Sequence, residues 1–284
     1  MEYNTLIVLI GLLCSGLLLG AFGALVSLKG ENLTADVAGH GVVSGVVASQ
    51  GIVALLSLAW LAVPLLWLCG FATSALTLGF IFWCRARGYS AGAGQALAIG
   101  LAYGVTLVLM SVVQGFGAFS TKGLTTLLLG DAATLTLARI LPAIAVLGLG
   151  AMGYALLRRS LHNWVLDQRS TALQGQDGRL EGLWVFATVV VVLTCLPALG
   201  LTLLVGALTL PALIVRPWVR GFSALVVGSA AVGGSVSMAA GWLSAGMLPL
   251  PTGALVIVAL GLAWALSALA AQVRARVGGA RHAA

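Results

Sequence analysis

The chain has 284 residues, of which 61% are hydrophobic and only 7% are charged, and its mean hydropathy is +1.12. Soluble domains are about 45–50% apolar and about 25% charged, so this composition predicts a membrane protein. The net charge of +7 rests on few charged residues and indicates membrane orientation rather than nucleic-acid binding. Disorder, a coiled coil and a disulfide scaffold are excluded as well.

The apolar stretches are long and do not alternate with polar residues, which is typical of transmembrane helices rather than barrel strands. We predict an all-α helical bundle with about nine spans, and the whole chain, 1–284, is expected to form a single transmembrane domain. The approximate bounds are Thr5–Leu28, Asp36–Ile52, Leu55–Trp83, Ala91–Val113, Ala138–Leu157, Glu181–Pro197, Leu201–Val215, Phe222–Ala245 and Gly253–Val273. The seventh segment is short and contains Pro211, so it is a kinked span or a half-span, and eight spans remain an alternative.

Basic residues predict the orientation, because Lys and Arg accumulate in cytoplasmic loops. With nine spans and an external N-terminus, only Lys122 and Arg139 of the 14 Lys and Arg residues fall outside. The C-terminal tail, 274–284, is then cytoplasmic. If the seventh segment only dips into the bilayer and returns, the tail moves to the opposite side, and its basic residues then lie outside. The charge distribution therefore favours nine spans.

Two ionisable residues lie inside the second predicted span. Asp36 and His40 are four residues apart, which places both side chains on one helical face about one turn apart. Charge within a span is expensive and needs a reason. A carboxylate and an imidazole together suit zinc, and also manganese or ferrous iron. Alternatively, Asp36 caps the helix N-terminus and His40 hydrogen-bonds to the backbone, and spacing alone does not separate the two interpretations.

Two ligands make only half of a tetrahedral zinc site. Gln95, Gln114 and Asp131 are polar candidates for further ligands, but nothing in the sequence places them near His40. The other histidines lie elsewhere, His162 in a charged loop and His282 in the tail. We expect both to be solvated rather than to bind metal.

The longest polar stretch of the chain is the loop at residues 158–180. Part of it, Leu161–Gln176, can form a short amphipathic helix that ends at Gly175 and lies across the cytoplasmic face. Such a helix would give a separate ATPase subunit a surface to contact, whereas the alternative is a solvated connector. The sequence contains neither a Gly-rich phosphate loop nor room for an ATPase domain. The chain itself is therefore not expected to act as an ATP-hydrolysing enzyme, and if it performs active transport, the energy comes from a partner or an ion gradient.

Five short motifs follow one another along the chain. They are Asp36-x-x-x-His40 followed by Gly45; Leu128-Leu129-Gly130; Leu166 and Asp167 with Gly175; Gly200, Leu203, Ala207, Leu208, Pro211 and Ala212; and Leu250-Pro251-Thr252-Gly253-Ala254. In these motifs the chain resembles, over nearly its whole length, the permease subunits of the manganese, zinc and iron-chelate branch of ATP-binding-cassette importers. Leu166 and Thr171 replace the phenylalanine and alanine usual in that family, which indicates a divergent subfamily.

The resemblance implies a permease, embedded in lipid of the bacterial inner membrane, that takes up a divalent transition metal: zinc first, manganese or iron next. An extracytoplasmic binding protein would deliver the cation to a homodimer of this chain, and two ATP-binding subunits would drive transport. Asp36 and His40 would be transient metal ligands, and no permanently bound cofactor is implied. The ATPase-coupling residues would be Leu166, Asp167, Thr171 and Gly175.

Other classes of protein fit the polar residues and motifs of the chain less well. A permease for iron chelates or cobalamin would share the architecture, but it has no need of a bare-ion pair such as Asp36 and His40. A secondary cation transporter needs no coupling helix and usually carries several intramembrane acids. An intramembrane hydrolase is a more distant alternative, since the sequence shows no Ser/His or metalloprotease constellation.

Overall fold

The computed structural model of the chain describes residues 3–31, 33–57, 59–115, 135–166, 177–246 and 251–282. Within these ranges the secondary structure consists of nine α-helices and one short 3-10 helix, Ala59–Leu61. The helices are α1 Tyr3–Lys29, α2 Thr34–Leu56, α3 Ala62–Ala86, α4 Ala91–Gly115, α5 Leu137–Leu166, α6 Asp177–Leu199, α7 Leu201–Val215, α8 Phe222–Gly246 and α9 Thr252–His282. The predicted all-α class is confirmed.

Eight of the described helices are long and apolar enough to cross a membrane, and α7 is the exception. It has 15 residues, about 22 Å at 1.5 Å per residue, whereas the hydrocarbon core is about 30 Å thick. Pro211 lies inside α7, and Gly200, with a φ of 75°, separates it from α6. The described residues thus contain eight candidate spans, the smaller of the two predicted numbers, and the seventh predicted segment is a short helix.

The boundary between α2 and α3 differs from the predicted one. The second predicted span ends at Ile52, but α2 continues to Leu56, and the chain then turns at Ser57 with a left-handed φ of 53°. α3 consequently begins at Ala62 rather than at Leu55. Apolar residues continue across this turn, so hydropathy alone does not reveal it.

Two other helices extend into regions predicted as polar loop or tail. α5 continues past Leu157 to Leu166, so the first part of the predicted loop 158–180 is helical, and α9 reaches His282. The other predicted coupling residues, Asp167, Thr171 and Gly175, lie outside the described residues. The Leu128–Gly130 motif, Leu250 and the candidate ligand Asp131 lie outside them as well.

The chain divides into two compact units. Unit 1 comprises residues 1–30, 131–166 and 206–284, and unit 2 comprises residues 31–130 and 167–205. Unit 1 therefore contains α1, α5, α8 and α9, while unit 2 contains α2, α3, α4 and α6. The two parts of α7 belong to different units.

The main helix pair of unit 1 is α1 with α8. A Cβ atom added at Gly20 would collide with the carbonyl oxygen of Ser229, and one added at Gly16 would collide with that of Gly233. Such an approach of two backbones is possible only where side chains are absent, and in lipid this dispersion contact stabilises helix pairs. Unit 1 is therefore built around backbone contact between two helices.

The helix at the centre of unit 2 is α2, which packs against α3, α4 and α6. A Cβ atom at Gly41 would lie 2.7 Å from Cα of Ser74, so α2 and α3 are also in close contact. Here hydrogen bonds accompany the contact: Thr73 Oγ1 donates to the carbonyl oxygen of Gly41 at 2.7 Å, and Ser74 Oγ donates to that of Ala38 at 3.0 Å. These bonds fix the position of α2, which carries the candidate site.

Candidate metal-binding site

The two ionisable residues of the second predicted span lie side by side in the first two turns of α2. Asp36 Oδ1 is 3.7 Å from His40 Nε2, and the side chains of Asp36 and His40 are 24% and 16% exposed, respectively. This distance exceeds that of a hydrogen bond, so the two groups are adjacent without bonding to each other. The helix thus brings a carboxylate and an imidazole together as the spacing predicts, and metal ligation by them stays a prediction.

The capping role considered for Asp36 does not match the geometry of the helix start. Leu33 occupies the N-cap position and has no side-chain capping hydrogen bond, and Asp36 is the third residue of α2. Within the described residues, neither the Asp36 carboxylate nor the His40 imidazole makes a hydrogen bond. The carboxylate still benefits from its place in the first turn, where the helix dipole stabilises a negative charge by about 0.3–1 kcal/mol.

Residues of α4 surround His40 on one side. The ring of Tyr103 meets the imidazole edge-on, with the centroids 5.7 Å apart and an interplanar angle of 87°. One turn further along α2, the buried Ser44 hydroxyl lies 2.6 Å from the Thr106 hydroxyl and 3.0 Å from the carbonyl oxygens of His40 and Ala102. These contacts hold α4 against the turn that carries His40, and sequence reasoning missed them because they join residues about sixty positions apart.

The other predicted polar candidates do not extend the pair into a larger ligand set. Gln95 is buried and donates a hydrogen bond from Nε2 to Thr34 Oγ1 at 3.3 Å, which attaches α4 to the start of α2. Gln114 lies exposed near the end of α4. No group of three or more His, Cys, Asp or Glu side chains suited to a metal ion is present in the part of the chain that the structure describes. There, Asp36 and His40 stand as a pair, without a third side chain of these types beside them.

The remaining histidines lie apart from this pair. His162 is exposed on α5, and its ring meets Phe222 of α8 edge-on with the centroids 5.1 Å apart. His282 is the last residue of α9. His162 is therefore solvent-accessible, as its charged surroundings predict.

A second polar group in unit 2 lies just before α2. Glu31 accepts a hydrogen bond from Trp184 Nε1 at 3.1 Å, and its other carboxylate oxygen lies 3.7 Å from Arg85 Nη2. Together with Thr34 these three residues line a small cleft. Sequence reasoning missed this group, because a tryptophan near a span end is usually an interfacial anchor and spacing does not identify Glu31 as its partner.

The comparison with protein families is decisive for the class of the molecule. The model of the ABC 3 transport family matches residues 2–271. The chain belongs to the ABC 3 transport family. The family resemblance drawn from the five motifs is thereby confirmed, and the chain is a multi-pass membrane protein of an ATP-binding-cassette transport family.

Two relatives and one solved structure show what this family member is similar to. The zinc transport system membrane protein TroC of Treponema pallidum (strain Nichols) is 27% identical over 262 residues, which cover 91% of this chain and 86% of TroC. The manganese transport system membrane protein MntC of Bacillus subtilis (strain 168) is 28% identical over 277 residues, which cover 95% of this chain and 62% of MntC. PsaBC from Streptococcus pneumoniae, solved in complex with Fab, superposes with a TM-score of 0.81 at 16% identity, over 94% of this chain and 91% of that chain. This last similarity shows a shared fold.

Proposed function

We propose that the chain is the permease subunit of an importer that takes up a divalent transition metal. The observation that carries the proposal is the pair of Asp36 and His40, whose carboxylate and imidazole lie 3.7 Å apart on a candidate span of a transport-family chain. The names of the two relatives, one for zinc transport and one for manganese transport, support a metal cation as cargo. Zinc is the first expectation and manganese or iron(II) the next, because nitrogen and oxygen ligands suit all three ions.

The chemistry of the pair suits an ion in transit. Two protein ligands leave the other coordination positions to water or to the delivering protein, so the ion is bound weakly enough to leave again. Both side chains are partly exposed. An imidazole binds a metal ion only in its neutral form. Binding of the ion is therefore coupled to release of a proton from the histidine. The ion is cargo in this proposal, and no permanently bound cofactor is included.

The proposal includes partner chains. An extracytoplasmic binding protein delivers the ion, a second copy of this chain completes a homodimer, and two ATP-binding subunits supply the energy. The ATPase contact is assigned to the coupling segment of residues 166–175, and membership of the ATP-binding-cassette family supports this division of labour. The residues assigned to that contact are Leu166, Asp167, Thr171 and Gly175.

The proposed orientation places the N-terminus outside the bacterial inner membrane and the C-terminus in the cytoplasm. It requires α7 to connect opposite faces of the membrane even though it is short. Single cysteines at positions 29 and 274, labelled from either side with an impermeant thiol reagent, test this point. Both positions should react only from the cytoplasmic side, whereas labelling of position 274 from outside would establish eight crossings and reverse the C-terminus.

Reconstitution tests the function directly. The permease, its ATP-binding subunit and the binding protein are placed in vesicles, and accumulation of zinc, manganese and iron(II) is measured with and without ATP. We expect ATP-dependent accumulation of at least one of these ions. ATP-dependent uptake of an iron chelate or cobalamin alone, or metal uptake driven by an ion gradient without ATP, would contradict the proposal and favour the corresponding alternative.

A further inference from the structure

The turn between α7 and α8 is attached to α9 by two hydrogen bonds. Trp218 Nε1 donates to Ser267 Oγ at 2.7 Å, and Ser267 Oγ donates to the carbonyl oxygen of Ile214 at 2.8 Å. About two helical turns beyond Ser267, the guanidinium carbon of Arg274 lies 5.9 Å from the centroid of the Trp218 ring. These residues all belong to unit 1. The turn and the last part of α9 therefore form one continuous surface, on which Trp218 is 47% exposed.

Four arginines lie on this surface, each within two residues of Trp218 or Arg274. They are Arg216 and Arg220 in the turn and Arg274 and Arg276 in α9, and all four are exposed; we call them the basic cluster. Glu181 is the last acidic residue of the sequence, and no Asp or Glu is present among the described residues of unit 1. A concentration of positive charge without acidic residues attracts anions. The basic cluster is therefore suited to an anion from outside unit 1.

The face of α9 that leads to the basic cluster is apolar and exposed. Leu262, Leu266, Leu269 and Val273 are 59–68% exposed, and their spacing of three or four residues places them in one stripe along the helix. Arg276 continues this stripe three residues after Val273. From Leu262 to Val273 the stripe is about 16 Å long at 1.5 Å per residue, close to half of the hydrocarbon core of about 30 Å. The stripe thus has the length of the acyl chains of one lipid leaflet, and the arginines lie at the level of the headgroups.

We propose that the basic cluster binds the headgroup of an anionic phospholipid whose acyl chains lie along the apolar stripe of α9. Arginine suits this role because its guanidinium donates paired hydrogen bonds to a phosphate. Trp218 lies beside the headgroup, where amphipathic aromatic rings are favoured at membrane interfaces. A free phosphate would meet the same arginines but would leave the stripe uncovered, so the combination of charge and apolar length favours a lipid.

The bound lipid acts as a ligand that stabilises unit 1. It contacts the turn before α8 and the end of α9 together, and a ligand that binds only the folded state raises the stability of that state. This inference is independent of the cargo and of the ATPase contact. Its test therefore requires no transport, and failure of the proposed function would leave it standing.

The test uses the purified full-length chain in a neutral detergent, titrated with phosphatidylglycerol or with phosphatidylcholine of the same acyl chains. Native mass spectrometry counts the bound lipids, and thermal unfolding measures stability. Phosphatidylglycerol should bind more tightly by at least about fivefold, the effect of one basic residue near an anionic membrane surface, and should raise the unfolding midpoint further. Glycerol phosphate, which has no acyl chains, should not displace the lipid at the same concentration.

Substitutions separate the contribution of charge from that of the stripe. Arg274→Gln and Arg276→Gln should each weaken binding of phosphatidylglycerol by about fivefold and leave binding of phosphatidylcholine unchanged. Arg276→Lys retains the charge and should retain most of the affinity. Leu266→Gln should weaken binding of both lipids, because it interrupts the apolar stripe and leaves the arginines in place.

A matched control comes from the end of α3 in unit 2. Arg87 lies 5.0 Å from the centroid of the ring of Trp83, which is half exposed, so the same type of contact occurs there. Its neighbour Arg85, however, has an acidic partner, because Arg85 Nη2 lies 3.7 Å from a carboxylate oxygen of Glu31. Arg87→Gln should therefore leave binding of phosphatidylglycerol unchanged.

Several results would overturn the inference. Equal binding of the two lipids by the unmodified chain would do so, and so would displacement of the lipid by glycerol phosphate at the same concentration, which would indicate a phosphate site without an acyl-chain part. Unchanged lipid binding in both arginine variants would assign the counter-charge to a different partner, such as an acidic protein surface. An equal loss in Arg87→Gln would mean that any arginine in a loop attracts anionic lipid. If Arg274→Gln does not fold, Arg276→Gln decides, because it leaves the contact of Arg274 with Trp218 intact.

Discussion

Unit 1 and unit 2 both contain close helix packing, but they combine it with different chemistry. In unit 1 the α1 and α8 backbones meet at Gly20 and Ser229. The Ser229 and Ser237 hydroxyls of α8 are buried and have no hydrogen-bond partner among the described residues. In unit 2 the glycine contacts of α2 are accompanied by side-chain hydrogen bonds, from Ser74 to α2 and between Ser44 and Thr106.

This difference teaches that close packing alone does not fix the direction in which a helix presents its polar side chains. Backbone contact stabilises a helix pair, but a hydrogen bond between helices adds a directional constraint, although in lipid it contributes only about 0.6 kcal/mol on average. The hydrogen bonds of unit 2 converge on the helix that also carries Asp36 and His40. We infer that the main contribution of these hydrogen bonds is to the position of the two side chains rather than to stability.

The largest expected effect is on metal uptake and comes from substitution of Asp36 and His40, the proposed ligand pair. Asp36→Ala and His40→Ala should each lower metal uptake per assembled transporter by at least about a hundredfold, since loss of even an outer-shell partner of a metal site costs 10–100-fold. Expression and dimer assembly should be retained, because neither change adds bulk. Uptake is measured in reconstituted vesicles and normalised to assembled protein.

His162→Ala is the control for this prediction, since it removes an exposed imidazole from unit 1. It should leave metal uptake unchanged. Normal transport by the double variant of Asp36 and His40 would show that the pair is structural and would remove the metal site from unit 2.

Glycine substitutions should have the next largest effect and should affect both units. Gly20→Ala in unit 1 and Gly45→Ala in unit 2 each place a methyl group against a backbone carbonyl, that of Ser229 or Cys69. Overpacking of this kind costs about 1–3 kcal/mol. Thermal unfolding of the purified protein should show a lower midpoint for both variants.

The matched glycine is Gly148 of α5, where an added Cβ atom would meet nothing within 4 Å. Gly148→Ala should raise the unfolding midpoint, because alanine has the higher helix propensity by up to about 1 kcal/mol. Equal shifts at Gly20 and Gly148 would mean that backbone contact does not decide the stability of unit 1.

The smallest effects should come from the two serines, and they should differ between the units. Ser44→Ala removes the hydroxyl that joins α2 to α4 and should lower the stability by about 0.6 kcal/mol, the average for such a bond in lipid. Ser237→Ala removes a buried hydroxyl without a partner among the described residues, so it should be neutral or stabilising. Unfolding midpoints of both variants measure this contrast, and a greater loss at Ser237 would contradict it.

Much of this architecture could be predicted from the sequence because hydropathy identifies spans directly. The bounds of α1 and α8 agree with the predicted spans within about two residues, as expected for well-separated apolar stretches. The start of α3 could not be predicted, because the break at Ser57 is a backbone angle inside a continuous apolar run. The end of α5 was predicted only in part: a helix was expected to begin at Leu161, but not that this stretch continues the preceding span without a break.

Only the part of the candidate site that lies within α2 could be predicted from the sequence. Four-residue spacing in a helix is sufficient to place Asp36 beside His40. Tyr103 and Gln95 reach α2 from another helix, and no periodicity within α2 specifies which residues of α4 face it. Contacts of this kind depend on how helices pack, which composition does not determine.

The shortness of α7 has a consequence for the lipid around the protein. A lipid-facing helix of about 22 Å in a core of about 30 Å would create hydrophobic mismatch and thin the bilayer locally. Most of α7 is instead buried, including Leu204 and Leu208, so its length is matched to the protein interior. By contrast, α5 and α9 carry long exposed apolar surfaces, with Leu156 and Leu266, that are available to acyl chains. Changes in acyl-chain length should therefore tilt α5 and α9 and leave α7 undisturbed, so that membrane thickness acts on the protein through its exposed helices.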